Sequence, residues 1–209
     1  MKIIIADDHE LIREGLKKVL VKNSEIEVVA EAASSWELLE ILSKKEVDIV
    51  VLDISMPGKS GLETLRDIKN YYPKVKTLIL SMHPEERFAI RALKSGASGY
   101  LSKQSAAKEL ENALLKIMHG GKYISNAVAE QLALEIETPS DKALHEKLSN
   151  REFEIMIKIS LGKSVSDIAD ELSLSVNTIT SYRTRLLQKM NMKSNAELIR
   201  YSLKNQLVD

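Results

Sequence analysis

The chain has 209 residues, 44 % of them hydrophobic, with 30 basic residues balanced by 30 acidic ones and no cysteine. That length accommodates one large domain or two ordinary ones, and the absence of cysteine excludes disulfides and thiolate metal sites and fits a reducing compartment. No apolar run approaches the roughly 20 residues of a membrane helix, and Met1-Lys2 leads straight into Ile3–Ala6 without a signal peptide, so a cytoplasmic protein with no membrane partner is expected.

Taken in order, the first half alternates short apolar runs with segments of helical periodicity. The runs are Lys2–Ala6, Glu27–Glu31, Asp48–Leu52, Thr77–Leu80 and Ser98–Leu101. Between and after them come Leu11, Leu16, Val19 and Leu20; Leu38, Leu39, Ile41 and Leu42; Leu62, Leu65, Ile68 and Tyr71; Phe88, Ile90, Ala92 and Leu93; and Leu110, Ala113, Leu114 and Ile117. This alternation predicts an α/β fold, a (βα)5 doubly wound parallel sheet. Right-handed crossovers favour the flavodoxin-like strand order 2-1-3-4-5.

In that topology the polar residues that end the strands converge on one edge. Strand one runs into Asp7-Asp8, strand three into Asp53, strand four into Ser81, and strand five ends near Lys103. Ile49–Leu52 is apolar throughout, as a strand buried on both faces should be, and Pro57 and Gly58 then punctuate a loop. A carboxylate at the end of such a strand can bind a cation or attack a phosphoryl group. Three carboxylates at close quarters repel one another unless a cation sits among them. An all-oxygen set favours a hard ion, and Mg2+ takes a few carboxylates plus water and a phosphoryl oxygen. Lys103 can place a point charge on a phosphoryl group and Ser81 can donate a hydrogen bond to it. The plain alternative for Asp7 or Asp8 is to cap the helix that begins near His9.

On the motifs IIIADDHE, IVVLDISMPGKSG, LILSMH and GYLSK, residues 1–120 resemble the receiver domain of two-component response regulators. The resemblance implies that Asp53 is the phosphoacceptor, that Asp8 binds Mg2+ directly and that Asp7 acts mostly through water. It further implies that Ser81 and Tyr100 form a switch pair and that Lys103 contacts the phosphoryl group. Gln104 stands where the family usually has proline, and Ser55 and His83 occupy positions that vary within it.

Gly120-Gly121 breaks the chain after the fifth helix, residues 126–136 read as a further short helix, and the polar stretch 137–147, with Pro139 and Ser140, reads as a hinge. The expected division is a receiver at 1–120, a linker with a short helix at 121–147, and a second domain at 148–209.

In the second half strand signals vanish and helix starts multiply. Ser149-x-x-Glu152, Ser164-x-x-Asp167 and Ser194-x-x-Glu197 read as capping boxes, Ser175 as a further cap, and Gly162 as a helix stop. Ile155, Ile159, Ile168, Ala169, Leu172, Ile179, Leu186 and Leu187 suffice for one small core among four helices. Residues 168–187 form a helix–turn–helix pattern with its turn at Ser173-Leu174. From Val176 to Lys204 the basic residues Arg183, Arg185, Lys189, Lys193, Arg200 and Lys204 face Glu197 alone, and the helix NTITSYRTRLLQK is basic and rich in hydroxyls. Such a helix neutralises phosphates through Arg and Lys and brings Thr and Ser to base edges.

Residues 148–207, through LSNREFEIM, SVSDIADELSLSVNTITSYRTRLLQKMNMKS and AELIRYSLKNQLV, resemble the LuxR/NarL-type DNA-binding domain. Together the two resemblances indicate a NarL/FixJ-type response regulator, phosphorylated by a sensor histidine kinase and binding double-stranded promoter DNA. Residues 176–190 are then the recognition helix. Thr180, Ser181 and Thr184 face the groove, Arg183 and Lys189 meet phosphates, and Thr178, Arg185 and Lys193 complete the DNA-binding set. Ala196, Ile199 and Leu203, with Leu207 nearby, present an apolar face for a homodimer. Two other readings are a Mg2+-dependent phosphotransferase or phosphatase and a constitutive DNA-binding protein with a vestigial receiver. The first lacks a substrate-cap insertion; the intact set Asp7, Asp8, Asp53, Ser81 and Lys103 argues against the second. The expectation is therefore a phosphoryl acceptor, with self-dephosphorylation as its own reaction, and not an enzyme.

Overall fold

In a computed structural model of the chain, which describes residues 1–56, 59–82, 85–137 and 143–208, each apolar run of the first half is a strand. Pro57, Gly58, His83, Pro139 and Ser140 lie outside the described residues. The strands are β1 (Lys2–Ala6), β2 (Glu27–Ala32), β3 (Ile49–Asp53), β4 (Lys76–Ser81) and β5 (Gly99–Ser102), all parallel in the order β2-β1-β3-β4-β5. This is the flavodoxin-like order expected from the sequence. The helices are α1 (Glu10–Leu20), α2 (Ser35–Leu42), α3 (Gly61–Tyr71), α4 (Glu85–Lys94) and α5 (Ala106–Met118).

Alternation along the strands supplies both layers of the core. Ile3, Ile5, Ile49, Val51, Leu78, Leu80 and Leu101 pack with Leu16 and Leu20 of α1 and Leu110, Ala113, Leu114 and Ile117 of α5. The intervening residues Ile4, Val50, Leu52, Ile79 and Tyr100 point to the opposite face and are equally buried, as are Leu38, Leu62, Leu65, Ile68, Phe88 and Ala92 of α2, α3 and α4. Every residue of β3 is buried, which holds its terminal Asp53 in the middle of the sheet. The Lys76 ammonium donates to the Ile117 and Met118 carbonyls at 2.8 and 3.0 Å, satisfying the end of α5 with a cation where the helix dipole favours one.

Both outer strands are covered. The β1–β2 register slips between Ile3 and Ile4, leaving Val29 without a ladder partner, and the Lys45 ammonium donates to the Val29 carbonyl at 2.7 Å. At the other side Tyr123 runs parallel to β5: its N–H donates to the Ser98 carbonyl at 3.1 Å and its carbonyl accepts from the Tyr100 N–H at 2.9 Å. A Cβ at position 99 would lie 2.8 Å from the Tyr123 carbonyl oxygen, so the approach needs Gly99. Helix α6 (Asn126–Glu137) then packs on α4 with Val128 fully buried. Of the stretch 121–147, expected as a linker, the structure assigns parts to two compact units. Its first part belongs to one compact unit, Met1–Glu137, and its last part, a 3₁₀ turn at Leu144–Lys147, to a second, Thr138–Asp209.

The second unit is four helices: α7 (Asn150–Ser160), α8 (Val165–Glu171), α9 (Val176–Lys189) and α10 (Asn195–Lys204). The Ser149/Glu152 and Ser164/Asp167 boxes are closed in both directions, and Ser175 accepts from the Thr178 N–H. At α10 Ser194 caps the Glu197 N–H, but the Glu197 carboxylate reaches past it to the Lys193 N–H at 2.9 Å. Gly162, at φ +84°, ends α7 as expected. The turn of the helix–turn–helix is closed by Leu174 N–H donating to the Ala169 carbonyl at 2.9 Å, with Ser173 at φ 51°. All eight residues named above as its core are buried.

Candidate functional site

The β1–α1 loop is built to present carboxylates. The Asp7 N–H donates to the Ala32 carbonyl at 3.0 Å, extending the sheet register one residue past β1. The His9 N–H then donates to Asp7 Oδ1 at 2.9 Å. Helix α1 is capped at His9 with no side-chain cap bond, so neither Asp7 nor Asp8 serves as the helix cap. Arg13 locks the loop from α1: its Nη1 donates to the Asp7 carbonyl at 2.8 Å while its Nε donates to Glu31 at 3.1 Å. Lys17 adds a second ion pair to Glu31 at 2.6 Å. Arg13 went unnoticed in the sequence, where it reads as an ordinary polar position of an amphipathic helix.

Asp53 closes β3 at 2 % exposure, and the Ser55 N–H donates to its Oδ1 at 3.2 Å. Gly61, the first residue of α3, presses on it from behind: its N–H donates to the Ile54 carbonyl at 2.9 Å, and a Cβ there would stand 2.4 Å from the Asp53 carbonyl oxygen. This close approach was also unseen in the sequence. Lys103 draws the strands together. Its Nζ lies 2.8 Å from Asp53 Oδ2 and 2.6 Å from Asp7 Oδ2, with the side chain 6 % exposed, and its N–H donates to the Ser81 carbonyl at 2.8 Å. No described peptide bond is cis, so the bond into Gln104 is trans. Ser81 and Tyr100 are both fully buried on neighbouring strands, with Ser81 opposite Ser102 and Tyr100 opposite Ile79.

Burial pushes the Asp53 carboxyl above its ordinary value; Lys103 opposes this and Asp7 adds to it. Burial acts to lower the Lys103 ammonium, but Asp53 and Asp7 outweigh it and the net movement is upward. Asp7 Oδ2 and Asp8 Oδ1 are buried without a hydrogen bond, and each has only an ion-pair contact, with Lys103 and His9 respectively. One ligand atom from each of Asp7, Asp8, His9 and Asp53 lies within 4.8 Å of the others. Buried carboxylate oxygens lacking hydrogen bonds, drawn together in this way, fit a divalent cation.

On the second unit, Thr180, Ser181, Thr184, Arg185 and Gln188 form an exposed stripe along α9, with Lys193 exposed just beyond it. The hydroxyls of Thr180, Ser181 and Thr184 donate back to the carbonyls of Val176, Asn177 and Thr180 at 2.9, 2.9 and 3.0 Å. Thr178 is half-buried, with its hydroxyl 2.8 Å from that of Ser175. Arg185 stacks on the Tyr182 ring at 4.6 Å. Arg183 donates to Asn195 at 2.7 Å, and Lys189 pairs with Glu152, the capping-box carboxylate of α7, at 2.7 Å. Both therefore also hold the helices together. On α10 Ala196 and Leu203 are exposed and Ile199 is half-buried, whereas Leu207, expected on the same face, is buried. Gln206 takes φ 54° and the Leu207 N–H donates to the Ser202 carbonyl at 2.8 Å, which turns the chain back and tucks Leu207 and Val208 into their own domain.

A (βα)5 unit with three aspartates and a lysine at its carboxyl edge, joined to a helix–turn–helix unit, defines a response regulator. Residues 3–115 match the response regulator receiver domain and residues 146–202 match the bacterial regulatory proteins of the luxR family, so the chain belongs to the NarL/FixJ-type response regulators, DNA-binding regulators of transcription. It is 35 % identical to the response regulator UvrY of Escherichia coli (strain K12), over 99 % of this chain and 95 % of that protein. It is 36 % identical to the oxygen regulatory protein NreC of Staphylococcus epidermidis (strain ATCC 12228 / FDA PCI 1200) over the whole of both. Among solved structures it resembles RcsB of Salmonella enterica serovar Typhimurium bound to promoter rprA in the presence of phosphomimetic BeF3-. There the TM-score is 0.66 at 26 % identity, covering 96 % of this chain and 98 % of that one. Among the described residues no helix is long and apolar enough to cross a membrane.

Proposed function

We propose that Asp53 is the phosphoryl acceptor through which a sensor histidine kinase controls DNA binding by this regulator. The observation that carries the reading is the buried contact of Lys103 Nζ with both Asp53 and Asp7 at the carboxyl edge of the sheet. An Asp53 carboxylate oxygen attacks the phosphorus of the kinase's phosphohistidine, and the P–N bond breaks with its electron pair returning to the imidazole. Lys103, already beside Asp53, stabilises charge on the transferred group. Asp7, Asp8 and Asp53 would hold Mg2+, which when bound supplies neutralisation of the phosphoryl oxygens. The chain turns over no substrate; loss of the acyl phosphate to water is the one reaction of its own.

The modification adds close to two negative charges beside β4, enough to draw the Ser81 hydroxyl toward it and to free space for Tyr100. The output is carried by the domain at 148–209, whose α9 enters the major groove of promoter DNA. Because their hydroxyl protons are bound to their own helix, Thr180 and Thr184 meet the groove through methyl groups and spare oxygen lone pairs, which suits a thymine methyl or an adenine or cytosine amino group. Arg183, Arg185, Lys189 and Lys193 contact phosphates. Ala196, Ile199 and Leu203 pair two copies, spacing recognition helices about one DNA turn apart. A regulator working on promoter DNA acts in the cytoplasm.

Phosphorylation by acetyl phosphate tests the core of this reading. Asp53→Asn should abolish Mg2+-dependent labelling, while Ser81→Ala should label but activate transcription poorly. Labelling of Asp53→Asn at the wild-type level would show that the acceptor lies elsewhere.

A further inference from the structure

Helix α9 opens on Ser175, whose side chain accepts from the Thr178 N–H at 3.0 Å and completes the cap. Asn177 follows in the first turn, exposed, where the cap leaves it no task. Asparagine is among the weaker helix formers, so local structure does not call for it there. At about 100° per residue, Asn177, Ser181 and Thr184 fall within an arc of about 60° on the outer stripe. The other polar groups of that stripe are engaged. The Ser181 hydroxyl donates to the Asn177 backbone carbonyl at 2.9 Å, and Thr180 and Thr184 donate to carbonyls in the same way. Arg185 Nε donates to the Ser181 carbonyl at 3.3 Å while its guanidinium stacks on Tyr182. Among the described residues the Asn177 carboxamide has no hydrogen bond, so it keeps donor and acceptor together for a ligand. Gln188 carries the same chemistry on nearly the same line, but it stands about 16 Å farther along the axis, away from the first-turn residues that this motif brings to base edges.

We propose that Asn177 reads an adenine in the major groove through a bidentate pair, its Nδ2 donating to N7 and its Oδ1 accepting from the N6 amino group. The inference deepens the proposed function, since it rests on α9 lying in that groove. Adenine sets an acceptor beside a donor on one base, the complement of a carboxamide. Guanine offers two acceptors, so Oδ1 would face O6 with no proton between them, and cytosine or thymine gives the carboxamide one partner instead of two. Thr184 lies about 10 Å along the axis from Asn177, the span of about three base pairs at roughly 3.4 Å each. The adenine therefore stands about three pairs from the position that Thr184 sets. The alternatives are that Asn177 is a hydrated surface amide or that it meets a phosphate, which carries no sequence information.

The test uses the full chain, treated with acetyl phosphate, to select sites from a randomised duplex library. Competition titrations then compare all four bases at each position of the enriched duplex, for wild type, Asn177→Ala, Asn177→Arg, Thr184→Ala and Lys193→Ala. Alanine favours the helix more than asparagine does, so Asn177→Ala keeps the fold. The expected result is that Asn177→Ala loses about tenfold or more in discrimination for adenine at one position, about three pairs from the one altered in Thr184→Ala. Asn177→Arg should move the preference there to guanine, whose two acceptors suit a guanidinium, and Lys193→Ala should weaken every duplex alike. An Asn177→Ala protein that keeps every preference, that changes one at a G·C pair, or that loses affinity equally for all duplexes would overturn the role of Asn177 and leave α9 in the groove. No sequence enriched by the wild type would overturn the groove reading as well.

Discussion

Gly61→Ala is a one-methyl change that should damage the proposed phosphorylation site without touching any side chain in it. A Cβ at this position lies 2.4 Å from the Asp53 carbonyl oxygen, 2.5 Å from Ile54 Cα and 3.0 Å from the Ile54 carbonyl oxygen, all of them backbone. Ordinary contact begins near 3.4 Å, so α3 and the end of β3 must part by about 1 Å. Alanine contributes at most about 1 kcal/mol through helix propensity. Overpacking of this kind costs about 1–3 kcal/mol, and the overlap with rigid backbone puts this case at the upper end. The net expectation is a loss of about 1–2 kcal/mol, or a few degrees in Tm. The movement also carries Asp53 away from Lys103, now 2.8 Å apart. A displacement of about 1 Å in a reacting group can cost on the order of 100-fold in rate, so labelling by acetyl phosphate should slow far more than the stability loss alone would produce. Thermal denaturation and a labelling time course, run side by side, decide the matter. A Gly61→Ala protein that melts within a degree of wild type and labels at the same rate would refute the argument that this close approach positions Asp53.

Arg13→Ala removes the donors to the Asp7 carbonyl and to Glu31; it should cost about 2 kcal/mol in denaturant titration and weaken Mg2+ binding measured by calorimetry. Burial acts to raise the Glu152 carboxyl, but Lys189 and the N–H and hydroxyl of Ser149 outweigh it and hold it below the ordinary 4.5. A carboxyl lowered in the folded state stabilises above its unfolded value and loses that contribution as pH falls through the folded one. Glu152→Gln, which keeps the capping geometry, should therefore flatten the acid limb of the stability–pH profile and change little else. On DNA, Arg185→Ala and Lys193→Ala should each weaken binding to all sequences and reduce the log–log salt slope by about 0.9. Thr184→Ala should instead change preference at one base pair by about 1 kcal/mol, read by competition between operator variants. Lys189→Ala should also lower the melting temperature, because it leaves the Glu152 charge without its partner.

The strands could be read within about a residue because buried parallel strands are written as unbroken apolar runs, and the meeting of Asp7, Asp53 and Lys103 followed from topology once those runs were ordered. Apart from Arg13, what escaped was carried by backbone. Gly61 and Gly99 matter because another main chain passes within touching distance, which no local pattern encodes. Gly120-Gly121 looked like the end of a domain, yet Tyr123 returns to the sheet through two main-chain hydrogen bonds for which any residue type would serve. Leu207 fits the apolar face of α10 by spacing, but a positive φ at Gln206, a residue that does not announce one, turns it inward. The hydroxyls of α9 were assigned to bases on chemistry alone, whereas a helix always offers Ser and Thr the carbonyl four residues back.

The coverings at the two sides of the sheet limit how receivers can associate. An open outer strand is a template on which a second copy can add its own strand, and proteins that must stay soluble blunt it with irregularities and lysines. Here β2 carries the slipped register at Val29 with Lys45 seated on its carbonyl, and β5 is already occupied by Tyr123. A sheet continuous across two copies is blocked at β5 and interrupted at β2. Any pairing of receivers would fall to their helical faces, whose side chains can rearrange when the carboxyl edge changes charge, and such an association could respond to a signal that a strand-to-strand seam would ignore.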